Sequence, residues 1–323
     1  MSFINKNMRI VFMGTPQFAV ETLETLINEG FNVVGVVTTP DKPAGRGKKL
    51  QKSAVKECAE SNSIPVLQPD NLKDAEFLNA LKALNGDVFI VVAFKKLPEE
   101  VWKMPPIGTI NLHASLLPDY RGAAPINHAI MNGEEQIGVT TFFIDDKIDT
   151  GNILLREEVP IYVYENAGDL HYRAAERGAQ LMIKTLLRIA DNSLKPKPQS
   201  WFMTNEATLK TAPKIFPKDC IINWNQEVTR VHNFVRGLSP SPGARSLFKN
   251  NDVALSFKII ESYPEYEEHN LLPGTICTDE KEHLKIACKD GFLCIIDLQV
   301  EGKKMMCTAK FLRGFRISDY TIG

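Results

Sequence analysis

Residues 108–125, GTINLHASLLPDYRGAAP, hold the side chains best suited to chemistry. Asn111 and His113 stand two apart where an apolar, β-branched run ends, and residues two apart on a strand face the same side. A side-chain amide beside an imidazole is a pair able to hold a developing oxyanion. Farther on, Asp145-Asp146-Lys147-Ile148-Asp149-Thr150-Gly151 closes a second strand end with carboxylates, the natural partners of a histidine. Judged by type alone, the same asparagine and histidine serve equally well as loop caps satisfied by backbone groups.

The elements that must position these residues read as an α/β arrangement. Residues 9–14 form an apolar strand that breaks at Gly14, and Thr15-Pro16 reads as an N-cap with proline at the first helical position. Phe18, Leu23, Leu26 and Ile27 recur at helical spacing, and a second strand follows over 32–38. Such a βαβ unit gives parallel strands with a right-handed crossover. Helices are expected over 53–61 and 74–84, and strands over 64–67 and 87–93. The strand over 109–112 leads into His113, and a helix over 123–132 ends at Gly133. Strands over 139–144 and 153–159 flank the Asp-rich loop, making the sheet mixed at that edge, and 166–191 reads as a long amphipathic helix.

Lys195-Pro-Lys-Pro198 cannot continue that helix. Residues 1–195 are therefore expected as one domain, 196–213 as a linker and 214–323 as a second domain. The second part reads as a strand over 221–224 and a helix over 226–238, then short strands over 253–262, 274–278, 284–288, 292–300 and 305–312. That spacing fits a small barrel or a sandwich.

At 323 residues the chain is long enough for two domains. Its 44% hydrophobic and 24% charged residues are ordinary for a globular protein with a real core. A net charge of -1 leaves any nucleic-acid binding to local charge. The longest apolar run, residues 88–94, is too short to span a bilayer, and the N-terminus lacks a secretory apolar segment, which points to the cytoplasm and to no membrane partner. A lone Gly14 does not make a dinucleotide-binding turn. The six cysteines include no C-x-x-C pair, and His283 near Cys277 and Cys288 fits no zinc spacing, so no metal is expected. Asp145 and Asp146 read as a solvated turn, and His128 and His171 as structural residues on their helices.

The segments Asn111-Leu-His-Ala-Ser-Leu-Leu-Pro118, Arg121-Gly-Ala-Ala-Pro-Ile126 and Asp149-Thr-Gly151, with Met13-Gly-Thr-Pro16 and Pro40-Asp-Lys-Pro-Ala-Gly-Arg-Gly-Lys-Lys49, resemble the folate-dependent formyltransferase family, from about Arg9 to the last strand. The basic loop and the second domain resemble its tRNA-acting branch. The resemblance implies a Rossmann-like, mostly parallel sheet flanked by helices, followed by a smaller OB-like β-barrel. It implies Asn111, His113 and Asp149 as the catalytic set, 10-formyltetrahydrofolate as donor, and the α-amine of methionine on initiator tRNA as acceptor. Neither a metal nor an obligate protein partner is expected. Ser115, Leu116, Leu117 and Pro118, with Phe94 and Leu97, would flank the folate. At 91–98, VVAFKKLP, the chain departs from the family, which carries a tyrosine-glycine pair and one more residue there.

Between Lys42 and Lys56 lie Lys42, Arg46, Lys48, Lys49, Lys52 and Lys56 with no acid among them, in a stretch whose first half holds Pro43, Gly45 and Gly47. Composition alone makes this a solvated face. The resemblance makes it a tRNA-reading insertion, with Lys42, Arg46, Lys48 and Lys49 as contacts and Arg46 offering a planar fork of donors. Two other classes fit part of the pattern. A formyltransferase acting on a glycinamide nucleotide or an amino sugar would use the same trio without needing the loop and barrel. A non-catalytic nucleic-acid-binding protein would leave the trio idle.

Overall fold

The computed structural model describes residues 7–44, 49–203, 209–250 and 254–322. Ten strands and six helices come first: β1 Arg9–Gly14, α1 Gln17–Asn28, β2 Asn32–Val37, β3 Lys42–Ala44, β4 Lys49–Gln51, α2 Ala54–Ser61, β5 Val66–Leu67, α3 Ala75–Ala83, β6 Val88–Val92, α4 Glu99–Trp102, β7 Gly108–His113, β8 Arg121–Gly122, α5 Pro125–Met131, β9 Gln136–Phe143, β10 Ile153–Pro160 and α6 Ala167–Ala190. Seven of these strands form one sheet in the order β10-β9-β7-β6-β1-β2-β5. The pairs β1–β2, β1–β6, β2–β5 and β6–β7 are parallel. β7 meets β9 antiparallel, giving the mixed edge expected from the sequence. Fully buried strands such as β6, VFIVV, suit a sheet covered on both faces.

After a short 3-10 turn at Gln199–Phe202 come β11 Thr211–Ala212, a second 3-10 turn at Pro217–Cys220, α7 Val228–Leu238, β12 Ala244–Lys249, β13 Ala254–Glu265, β14 Ile276–Thr278, β15 Leu284–Ala287, β16 Phe292–Val300, β17 Met306–Cys307, α8 Thr308–Gly314 and β18 Thr321–Ile322. Their antiparallel sheet runs β14-β15-β16-β13-β12-β18, with β17 also on β16. Gly274, just ahead of β14, approaches Ile322 of β18, so the two ends of the sheet come together as a nearly closed barrel. Phe248 and Phe257 stack at 3.8 Å in its core.

Two expectations fail here, and one strand was not anticipated. Residues 221–224 form no strand; Ile221 makes a single bridge to Arg245. Residues 305–312 become a short strand and then α8, because Thr308, Phe311 and Leu312 share one buried helical face. β12 had no counterpart in the sequence reading, since two of its three inward positions are the small Ala244 and Ser246.

The chain packs as two compact units: residues 1–122, 137–159 and 171–211 in one, and 123–136, 160–170 and 212–323 in the other. In the second unit α5 rests on α7, where Asn127 donates to the carbonyl of Gly237 at 2.7 Å. Any side chain at Gly237 would collide with Met131, which fixes that close approach.

Candidate active site

β7 delivers the first two candidate residues. Its Leu112 faces α6, where the absent side chain of Gly178 makes room for it, so Asn111 and His113 take the opposite face. Asn111 is half-buried between Val91 and Phe142 on the flanking strands, and its side-chain amide makes no hydrogen bond with another described residue. His113 is only 7% exposed, and its Nε2 lies 2.9 Å from the carbonyl oxygen of Tyr120. A carbonyl only accepts, so Nε2 carries a proton and Nδ1 is the variable nitrogen. That Nδ1 faces Asp149 Oδ2 at 3.9 Å. This is close enough for charge to be felt and too long for a hydrogen bond, so a proton passing between the two needs a bridging molecule.

Asp149 is held in a left-handed conformation, φ +56, which aspartate tolerates better than most residues. Its Oδ2 also accepts the backbone N–H of Gly122 at 3.0 Å. Two residues on, Gly151 passes so close to Phe143 that a Cβ would strike the Phe143 carbonyl. Asp145, earlier in the loop, accepts from Thr150 Oγ1 at 2.7 Å and from Lys147 N at 3.1 Å, which makes it a loop brace. Tyr120, which anchors His113, is also left-handed at φ +58. Such strain gathers where the surroundings impose a geometry.

The remaining candidates are distributed unevenly. Ser115 Oγ donates to the Asp119 carbonyl at 2.6 Å. Thr140 Oγ1 donates to Ser115 O at 2.6 Å and accepts from Leu117 N at 3.2 Å, pinning the turn that ends in Pro118. Leu117 is fully buried with Phe142 and Ile153, while Leu116 is half-buried over Gly138. Leu97 and Phe94 belong to another apolar cluster, with Val11, Met13 and Val91. Arg156 Nη1 donates to Leu117 O at 2.8 Å with its guanidinium 4.3 Å from the Phe202 ring, and burial lowers its pKa. An open cleft of about 480 Å³ lies beside Leu116, lined by Arg156, Arg188, Lys195 and Phe202.

The described parts of the basic stretch include two short strands paired antiparallel: Lys42 pairs with Gln51 and Ala44 with Lys49. Lys42 is exposed; Arg46 and Lys48 lie outside the described residues, and only the backbone of Lys49 is described. Lys56 is bound to Asp41 at 2.7 Å and Lys52 to Glu60 at 2.6 Å. Neutralised from outside the run, those two are not free for a partner.

Thr140, Gln199, Arg121 and Tyr120 escaped the sequence reading as supports of the site. Gln199 sits directly after the proline-rich break at 195–198, where nothing suggested a buried side chain. Among the described residues no group of three or more His, Cys, Asp or Glu is placed to hold a metal, and no helix is long and apolar enough to cross a membrane.

Comparison with known proteins identifies the family. Residues 8–186 match the family described as Formyl transferase, and residues 214–316 match Formyl transferase, C-terminal domain. The methionyl-tRNA formyltransferase of Bacteroides thetaiotaomicron is 49% identical over 315 residues, covering 97% of this chain and 98% of its own. That of Flavobacterium johnsoniae is 49% identical over 314 residues, again covering 97% and 98%. Among solved structures, HypX from Aquifex aeolicus in complex with tetrahydrofolic acid superposes with a TM-score of 0.64 at 21% identity, covering 98% of this chain and 50% of that longer one. The N-formyltransferase from Helicobacter canadensis with folinic acid and dTDP-3-aminofucose gives 0.60 at 24% identity, covering 89% and 98%. With both parts of the chain matched and the site residues converging on one strand end, the chain belongs to the formyltransferase family.

Proposed function

We infer that this chain transfers the formyl group of 10-formyltetrahydrofolate to the α-amine of methionyl-initiator tRNA, yielding N-formylmethionyl-tRNA for translation initiation. One observation carries the reading: near-half identity to methionyl-tRNA formyltransferases runs through both the catalytic and the C-terminal parts. Relatives acting on sugars share the fold at a much lower identity. The reaction needs a neutral amine and a stabilised oxyanion. Asn111, half-buried with an uncommitted amide, fits a donor to the formyl oxygen. His113 offers Nδ1 for proton transfer from the attacking amine. Asp149 supplies the charge that faces this nitrogen and acts as no nucleophile. When bound, the folate supplies the one-carbon group; Ser115–Pro118 with Phe94 and Leu97 would flank it, and the basic cleft beside Leu116 suits its carboxylate tail.

Residues 1–195 would then carry the chemistry, 196–213 link, and 214–323 bind tRNA together with Lys42, Arg46, Lys48 and Lys49. Family matches that end at 186 and resume at 214 favour this division. Purified protein supplied with 10-formyltetrahydrofolate should formylate methionyl-initiator tRNA and leave glycinamide nucleotide and amino sugars untouched. A preference for either small amine would overturn the reading.

A further inference from the structure

The side chain of Gln199 is 4% exposed and spends its whole hydrogen-bonding capacity on the loops around Asp149. Its Nε2 donates to Asp149 O at 2.8 Å and to Gly151 O at 3.0 Å. Its Oε1 accepts from Arg121 Nε at 3.1 Å and from Arg121 Nη2 at 2.5 Å. The orientation of the amide follows from chemistry alone. Reversed, its oxygen would confront two carbonyls and its NH2 a guanidinium.

These bonds close a ring. Gln199 holds the backbone of Asp149 and Gly151. The Asp149 carboxylate accepts from Gly122, and Gly122 follows Arg121, which returns to Gln199. On the other side of Arg121 stands Tyr120, whose carbonyl anchors His113. One amide thus ties the support of the histidine to both ends of the aspartate. A left-handed Asp149 has no helix or ladder of its own to maintain it, so the clamp sets where its carboxylate points.

We propose that Gln199 is a positioning residue for formyl transfer, acting through Asp149 to hold its carboxylate against His113. The activity arm of this proposal rests on the formyl-transfer reading; the structural arm does not. The test is a double-mutant cycle in single-turnover formylation, using Gln199→Leu and Gln199→Glu, each alone and with Asp149→Asn. Gln199→Glu keeps the length and the Arg121 pairing while removing both donors, so it remains informative if the leucine variant folds poorly. Either substitution should slow the wild-type background on the order of 100-fold, as a small misplacement of a reacting group does, with KM for the tRNA unchanged. In the Asp149→Asn background the further loss should be less than about twofold, because interacting sites are not additive. Equal losses in both backgrounds, or no loss in either, would overturn the proposal. If the wild-type protein forms no formyl product, it is the formyl-transfer reading that fails. Gln199 is then judged by crystal structures: in Gln199→Leu, Asp149 should leave the left-handed region and lose Gly122, and an unmoved Asp149 would sink the clamp.

Discussion

The strand end around His113 and the basic ribbon of β3 and β4 both carry the polar residues expected to act, yet they are built in opposite ways. Around His113 the supports are bonded in place: the Tyr120 carbonyl to His113, Gly122 to Asp149, and Gln199 to Asp149, Gly151 and Arg121, with only the Asn111 amide among these described residues left uncommitted. The ribbon is a pair of three-residue strands with Lys42 and Leu50 exposed, and its outlying charges Lys52 and Lys56 are tied to Glu60 and Asp41. Catalysis needs groups fixed before the substrate arrives, because displacement of reacting atoms is costly. Recognition of a large polyanion needs charge that stays uncommitted until the partner arrives. Among the described side chains of the basic run, the contrast sets exposed Lys42 apart from Lys52 and Lys56, which are already paired.

The largest test breaks the fixed side. His113→Ala and Asn111→Ala should each slow single-turnover formylation by about 100- to 1000-fold, with folate binding and melting temperature close to wild type. Rates within threefold of wild type would remove the residue concerned from the catalytic set. Asp149→Asn comes next. Asparagine accepts a left-handed conformation and keeps an oxygen for Gly122, so the protein should fold, bind folate and react at least about 100-fold more slowly. A formyl group trapped covalently on Asp149 would contradict its assignment.

Smaller effects belong to the ribbon. Arg46→Ala should weaken discrimination between initiator and elongator methionyl-tRNAs by about tenfold, equivalent to the lower end of a lost base contact, and leave folate binding alone. Wild-type discrimination at wild-type rate would reduce the basic run to a solvated insertion. Lys49→Ala should lower tRNA affinity evenly across tRNAs and reduce the salt slope by about one phosphate contact. The smallest change sharpens the contrast: Lys56→Met should lower the melting temperature by losing Asp41 and Gln68 without altering that slope. A salt slope changed as much by Lys56→Met as by Lys49→Ala would erase the distinction drawn for the paired Lys56.

Sequence made the parallel sheet readable because β1, β6 and β7 are apolar runs, and the spacing of Asn111 and His113 placed both on one face. The supports were hidden. Gln199 meets its partners 48 to 78 residues away in the chain, and local patterning carries no trace of such a contact. Its setting beside two prolines suggested only a connection between domains. The pairing of Lys52 and Lys56 was hidden for a related reason, since Glu60 and Asp41 lie outside the run that defined the cluster. β12 and α8 were obscured by small inward residues in one and a helical face within a short apolar run in the other.

The two compact units are not consecutive along the chain: residues 123–136 and 160–170 belong with 212–323. During synthesis the ribosome therefore finishes α5 nearly a hundred residues before α7, the helix it packs on, has emerged. Until then Asn127 lacks Gly237, and Met131 lacks the close approach of that glycine. A nascent chain halted after the long helix thus carries an unfinished part of the second unit, and a fragment begun at 214 is born without it. Severing the polypeptide at its proline-rich connection would separate the sequence into two pieces but would not release two complete folding units.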